Sequence, residues 1–151
     1  MHMTGTDWTA CWGEVFTIYR ASGPGQVCVG DLVGVYYPRL PGIWLGCTGS
    51  TCPRSSCPGQ PTTAVGFATE ENWYTCCSEV FKIYASGKAN GDVIDSGDDI
   101  MLYSLDLGRW VAQSGGDVYT TTTTCAGTTR PPPAAMFDQC HKETFTIWKG
   151  P

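Results

Sequence analysis

In Glu14-Val-Phe-Thr-Ile-Tyr19 the apolar Phe16 and Ile18 alternate with Thr17, the two-residue period of a strand with one buried face. The same alternation returns in Phe81 and Ile83, in Val33 and Val35, in Ile100 and Leu102, and in a last strand expected over Glu143 to Trp148. Ala21-Ser-Gly23 and Ala85-Ser-Gly87 supply turns after the first strand of each set, since glycine tolerates positive φ. Further strands are predicted around Gly42-Ile-Trp44 and Gly108-Arg-Trp110, and over Thr62 to Phe67 and Val118 to Thr124, where β-branched residues favour extended backbone. No stretch sustains a 3.6-residue period, so little or no long helix is expected.

These elements recur in order. Cys11-Trp-Gly-Glu-Val-Phe-Thr-Ile-Tyr19, Cys76-Cys-Ser-Glu-Val-Phe-Lys-Ile-Tyr84 and Cys140-His-Lys-Glu-Thr-Phe-Thr-Ile-Trp148 share the pattern C-x2-E-x-F-x-I-[YW], with starts 65 and 64 residues apart. An aromatic (Trp8, Trp73, Phe137) precedes each Cys by three. Downstream, Gly30-Asp31 matches Gly97-Asp98, Tyr36 matches Tyr103, Trp44 matches Trp110, and Cys57 matches Cys125. The reading is one all-β domain over 1–151, with internal repeats at 8–72 and 73–136 and a partial third copy at 137–151. A compact, disulfide-stabilised barrel or sandwich with a closing C-terminal strand is expected, the last strand completing the pattern of the first and covering an open edge. A β-trefoil is the alternative; three equal units would space the motif by about 50 residues, a third of 151.

Composition narrows the classes of partner and suits an expected extracellular location. Only 15% of residues are charged, against about 25% in soluble domains. Six Trp, seven Tyr and five Phe are enough to build a core. The net charge of −5 comes without any Lys/Arg cluster, so nucleic acid is not an expected partner. Apolar runs such as Leu32 to Tyr37 fall far short of the ~20 residues of a membrane span, so no transmembrane segment is expected. The first six residues have no apolar leader core, and His2-Met3 reads as a cloning remnant; any signal is expected to have been removed. His141 is then the one natural imidazole, which argues against multi-histidine zinc or catalytic centres.

Nine cysteines at this density favour an oxidising compartment and a disulfide framework over zinc, because no C-x2-C pair occurs. Repeat equivalence pairs Cys57 with Cys76 and Cys125 with Cys140. Cys47 with Cys52 closes a small loop, and Cys28 with Cys77 is the remaining pairing. Cys11 is left over as a free thiol or an interchain bridge, which would make the chain a homodimer.

Candidate chemistry sits on repeated positions. Glu14, Glu79 and Glu143 precede their strand Phe by two, on the core face, and are expected to accept backbone N–H groups of a neighbouring turn. Asp31 and Asp98, with Tyr36, Trp44, Tyr103 and Trp110, form the candidate ligand-binding set, because aromatic faces beside carboxylates are suited to holding sugars; the alternative is that the four rings are core and the Gly-Asp side chains cap their own turns. Asp92, Asp95, Asp98 and Asp99 crowd one loop with oxygen ligands, and Ca2+ is the candidate cofactor there, although the spacing is not that of an EF-hand loop and a solvated acidic turn is the stronger reading. The exposed aromatics expected to add to a sugar site are Tyr37, Trp73, Tyr74, Tyr119 and Trp148. Cys77 and His141 occupy matching positions but are not expected to form a catalytic pair. The functional expectation is a secreted, non-enzymatic binding protein, foremost a lectin for a glycan or glycoprotein. The alternative is a structural or adhesive extracellular module, or a toxin or defence protein acting on membranes or partner proteins.

Overall fold

The computed structural model describes residues 16–37, 43–51, 54–55, 78–114, 117–120, 125–127 and 129–148. Within them the chain is almost wholly antiparallel β structure. Strand β1 (Thr17–Arg20) turns at Ala21–Gly23 and returns as β2 (Leu32–Tyr36), in register Thr17↔Tyr36 to Arg20↔Val33. Two short strands continue outward, β3 (Trp44–Leu45) on β2 and β4 (Arg54–Ser55) on β3. The second hairpin, β5 (Phe81–Ala85) with β6 (Asp99–Ser104), is paired along its whole length. From β6 the sheet runs on to β7 (Arg109–Ser114) and β8 (Asp117–Thr120).

The sheet order is β4-β3-β2-β5-β6-β7-β8, with β1 on β2 and β9 (Phe145–Thr146) on β6. The expected closing strand therefore covers β6 and not β1. Nor do the described residues close into a barrel: among them the ends of the sheet meet through one isolated bridge, Thr51↔Tyr119. That bridge is flanked by the Thr120 hydroxyl, which donates to Gly49 O at 2.5 Å. A single bridge cannot propagate as a ladder, because β3 and β4 are only two residues long.

The alternation read from the sequence has its physical outcome here. Phe81, Ile83, Val33, Ile100, Met101 and Val111 are buried in one apolar cluster, with Phe16, Ile18, Phe145 and Ile147 packed against it. Burying a side chain such as Phe81 contributes about 1.5–3 kcal/mol. The expected fourth strand at Thr62 to Phe67 lies outside the described residues; its counterpart from Val118 is β8.

A single helix, α1 (Ala134–Gln139), follows the Pro131–Pro133 run. Proline fixes a φ suited to entering a helix, and two alanines carry the first turn. Phe137 is its buried residue, and the Thr144 hydroxyl caps its far end by donating to Phe137 O and Cys140 O, both at 3.0 Å.

Candidate functional site

Each β hairpin turns into its second strand through a Gly-Asp step. Gly30 and Gly97 have φ of +88° and +94°, which L side chains rarely adopt. The aspartate that follows folds back on its own loop. Asp31 Oδ2 accepts the N–H of Cys28 at 2.8 Å, and Asp98 Oδ2 accepts that of Asp95 at 2.7 Å. Asp31 N–H donates to Cys28 O at 3.1 Å, and Asp98 N–H to Asp95 O at 3.2 Å.

The two carboxylates are neutralised from different places in the chain. Arg20 Nε lies 3.2 Å from Asp31 Oδ2, whereas Lys88 Nζ lies 2.5 Å from Asp98 Oδ2 and 3.0 Å from Asp95 Oδ2. Lys88 also donates to Val93 O at 2.8 Å. Its hydrogen bonds to Asp98 and Asp95 raise the ammonium's pKa above 10.5.

In this geometry the acidic loop read as a calcium candidate is bridged by Lys88. Lys88 sits where a bound cation would gather Asp95 and Asp98. Asp92 Oδ2 instead accepts Ala89 N–H at 2.9 Å, and Asp99 Oδ1 accepts the Thr146 hydroxyl at 2.7 Å. Among the described residues no three His, Cys, Asp or Glu side chains converge to hold a metal.

The candidate aromatics form two matching clusters. Tyr36 packs on Trp44 at 4.9 Å between ring centroids, and Tyr103 on Trp110 at 4.9 Å. Tyr19 and Tyr84 each approach their tryptophan at 5.9 Å. Trp44 and Trp110 are 0% exposed, Tyr36 7% and Tyr103 8%, so these rings are core and offer no open face for a sugar to stack on. The structure thus brings Tyr36 to Trp44 and Tyr103 to Trp110, but keeps the aspartates on separate turns engaged with the backbone. Trp110 Nε1 donates to Gly127 O at 2.8 Å, and the Arg130 guanidinium covers the Tyr103 ring at 4.5 Å. Burial raises the Tyr84 hydroxyl's pKa above 10.0, against the opposing pull of Lys82 and Arg130.

Glu143 meets its expectation. The carboxylate, 1% exposed, accepts the N–H groups of Cys125 and Ala126 at 3.2 and 3.1 Å. Glu79 is likewise buried, and Glu14 lies outside the described residues.

The Cys125–Cys140 bridge is present, joining the same turn to the end of α1. Cys47 is disulfide-bonded to a residue outside the described set, where Cys11, Cys52, Cys57, Cys76 and Cys77 also lie. Cys28 carries a free thiol, so its pairing with Cys77 is not formed. With Cys28 free, eight cysteines remain, and Cys11 is no longer forced to be the odd one.

Sequence reasoning did not single out Lys88, Arg20 or Arg130. For Lys88 a signal existed: a lone cation flanking a segment dense in aspartate. Among the described residues the exposed aromatic is Trp148, 54% accessible at the end of the β9 segment, while Trp73 and Tyr74 lie outside them. No family model matches the chain, and no curated protein or solved structure matches it significantly.

Proposed function

We propose that this chain is an extracellular structural or adhesive module that acts through its folded surface and performs no catalysis. The observation that carries the reading is the inward use of its polar and aromatic groups. The four repeated Tyr and Trp rings are core, Asp31 and Asp98 fasten turns, and Glu143 holds a backbone pair. Groups committed to internal bonds stabilise a scaffold and are not free to bind ligand. The Cys125–Cys140 bridge supports an oxidising location.

Glycan binding is the second reading. It is favoured by the exposed indole of Trp148, next to Ile147, which bonds to Gly97 in the turn that carries the exposed Asp95. A glycan array probed with the intact chain separates the two. The expected result is that no glycan is retained. Retention that disappears in Trp148→Ala would overturn the structural reading in favour of a lectin.

A further inference from the structure

The junction that joins β5 to β2 is rebuilt at β9 and β6, bond for bond. Gly30 N–H donates to Ile83 O at 2.7 Å, and Gly97 N–H to Ile147 O at 2.7 Å. Ile83 N–H donates to Asp31 O at 3.2 Å, and Ile147 N–H to Asp98 O at 2.9 Å. Cys47 N–H reaches Ser78 O at 2.8 Å, and Gln113 N–H reaches Lys142 O at 2.9 Å. The ladder Leu32↔Lys82, Val33↔Phe81 corresponds to Asp99↔Thr146, Ile100↔Phe145. Every pair joins residues that the sequence motif aligns.

The two junctions differ in what lies beyond them. β5 carries on, through its other edge, into the full β5–β6 ladder. Among the described residues β9 pairs only with β6. Ile147 spends its N–H and C=O on β6, so by strand alternation the backbone groups of Thr146 and Trp148 point to the outer edge. The closing aromatic of the motif follows suit. Tyr84 is buried against Trp110 and Tyr19 packs on Tyr36 and Trp44, but Trp148 is 54% exposed. It occupies a core-forming position without the rings that complete that core.

We propose that β9 is a docking strand for a second copy of this chain, resting on the structural-module reading. Its outer edge pairs with β2 of the next copy in the place of that copy's β1, and Trp148 enters the Tyr36–Trp44 cluster in the place of Tyr19. The register is set by the motif: Thr17↔Tyr36, Ile18↔Val35 and Tyr19↔Gly34 become Thr146, Ile147 and Trp148 opposite those three β2 residues. Gly34 makes β2 the fitting acceptor, because it leaves room across the strands for an indole, whereas the corresponding mate of Tyr84 on β6 is Met101. β1 is half-buried along its length while β5 is mostly buried, so β1 is the less costly strand to exchange. Head-to-tail addition of this kind is heterologous and builds open arrays, or a ring where the rotation between successive copies closes.

Sedimentation velocity of the intact chain over a wide concentration range tests this. The wild type is expected to associate as concentration rises, and Trp148→Ala to stay monomeric with an unchanged circular dichroism spectrum. In a Cys28→Ser background that keeps Trp148, chains carrying Ile147→Cys and chains carrying Val35→Cys, the pair that the register places opposite one another, mixed and oxidised, are expected to form a crosslinked pair on a non-reducing gel. A wild type that is monomeric throughout overturns the proposal. So does association that survives Trp148→Ala, or that gives no 35–147 crosslink; either leaves the module reading standing with a different contact. A monomer that retains glycans through Trp148 overturns both readings.

Discussion

The carboxylate of Glu143 accepts the backbone N–H of Ala126 at 3.1 Å from a position seventeen residues further along the chain. It binds the start of β9 to the turn that the Cys125–Cys140 bridge also holds. One buried acid thus serves two donors that have no strand to pair with.

Removing that acid is expected to be costly. Glu143→Ala leaves two N–H groups without their acceptor and should lower unfolding free energy by about 3 kcal/mol, while Glu143→Gln, which keeps one acceptor oxygen, should cost about half as much. Urea denaturation measures both. Equal stability of Glu143→Ala and wild type would show that the socket contributes nothing.

Lys88 already supplies the positive charge of the acidic turn. Added calcium or EDTA is therefore expected to leave Tm unchanged, and Lys88→Ala to lower Tm by an amount that shrinks at high salt, since exposed ion pairs are screened. Thermal melts in low and high salt check this, and a calcium-dependent rise in the wild-type Tm would contradict it.

Tyr84 sets an alkaline limit. Its folded pKa lies above the ordinary 10.0, so folding favours the protonated phenol. That contribution is fully present below pH 10 and is lost as the pH rises through the folded value. Tyr84→Phe should flatten the fall in Tm above pH 10, and a pH profile identical to wild type would refute the assignment.

The thiol of Cys28 is the expected site of labelling in the native chain. Maleimide followed by peptide mass spectrometry should modify Cys28, with Cys125 and Cys140 recovered as a linked pair, and Cys28→Ser should abolish that modification. Native labelling at Cys125 or Cys140 would contradict the bonding described.

Both Gly-Asp turns should resist side chains. Gly97→Ala is expected to destabilise by about 1 kcal/mol from positive φ alone. Gly30→Ala should cost more, because its added Cβ would also lie 3.1 Å from Asn90 Oδ1. Chemical denaturation of the two variants gives the order, and the reverse order would show that Asn90 yields freely.

Much of the strand pattern was legible in the sequence, because Phe-x-Ile alternation and the Gly-Asp steps are local signals. The Glu143 socket was also readable, since an acid on a core face must find donors. The burial of Tyr36, Trp44, Tyr103 and Trp110 was legible only as one of two readings: an aromatic beside an aspartate in sequence looks the same whether its ring closes a core or lines a ligand site. Closure was misjudged for a related reason. Repeat spacing gives the number of strands but not their neighbours, and β9 turned to β6 because its motif matches β5, which sits on β2. Cys28 escaped because disulfide pairing depends on proximity that spacing does not encode. Helix α1 escaped because six residues are too few to establish a period.

The meeting of the sheet's two ends also bears on how the chain folds. Thr120 and Gly49 are 71 residues apart in sequence, and Arg109 reaches the same Gly49 carbonyl across 60. Each hairpin can zip locally, but this seam must wait until a long loop has closed, with its entropy spent before any bond forms. Formed late, and secured among the described residues by few bonds, the Thr51–Tyr119 seam is expected to open to solvent exchange before the β5–β6 hairpin does.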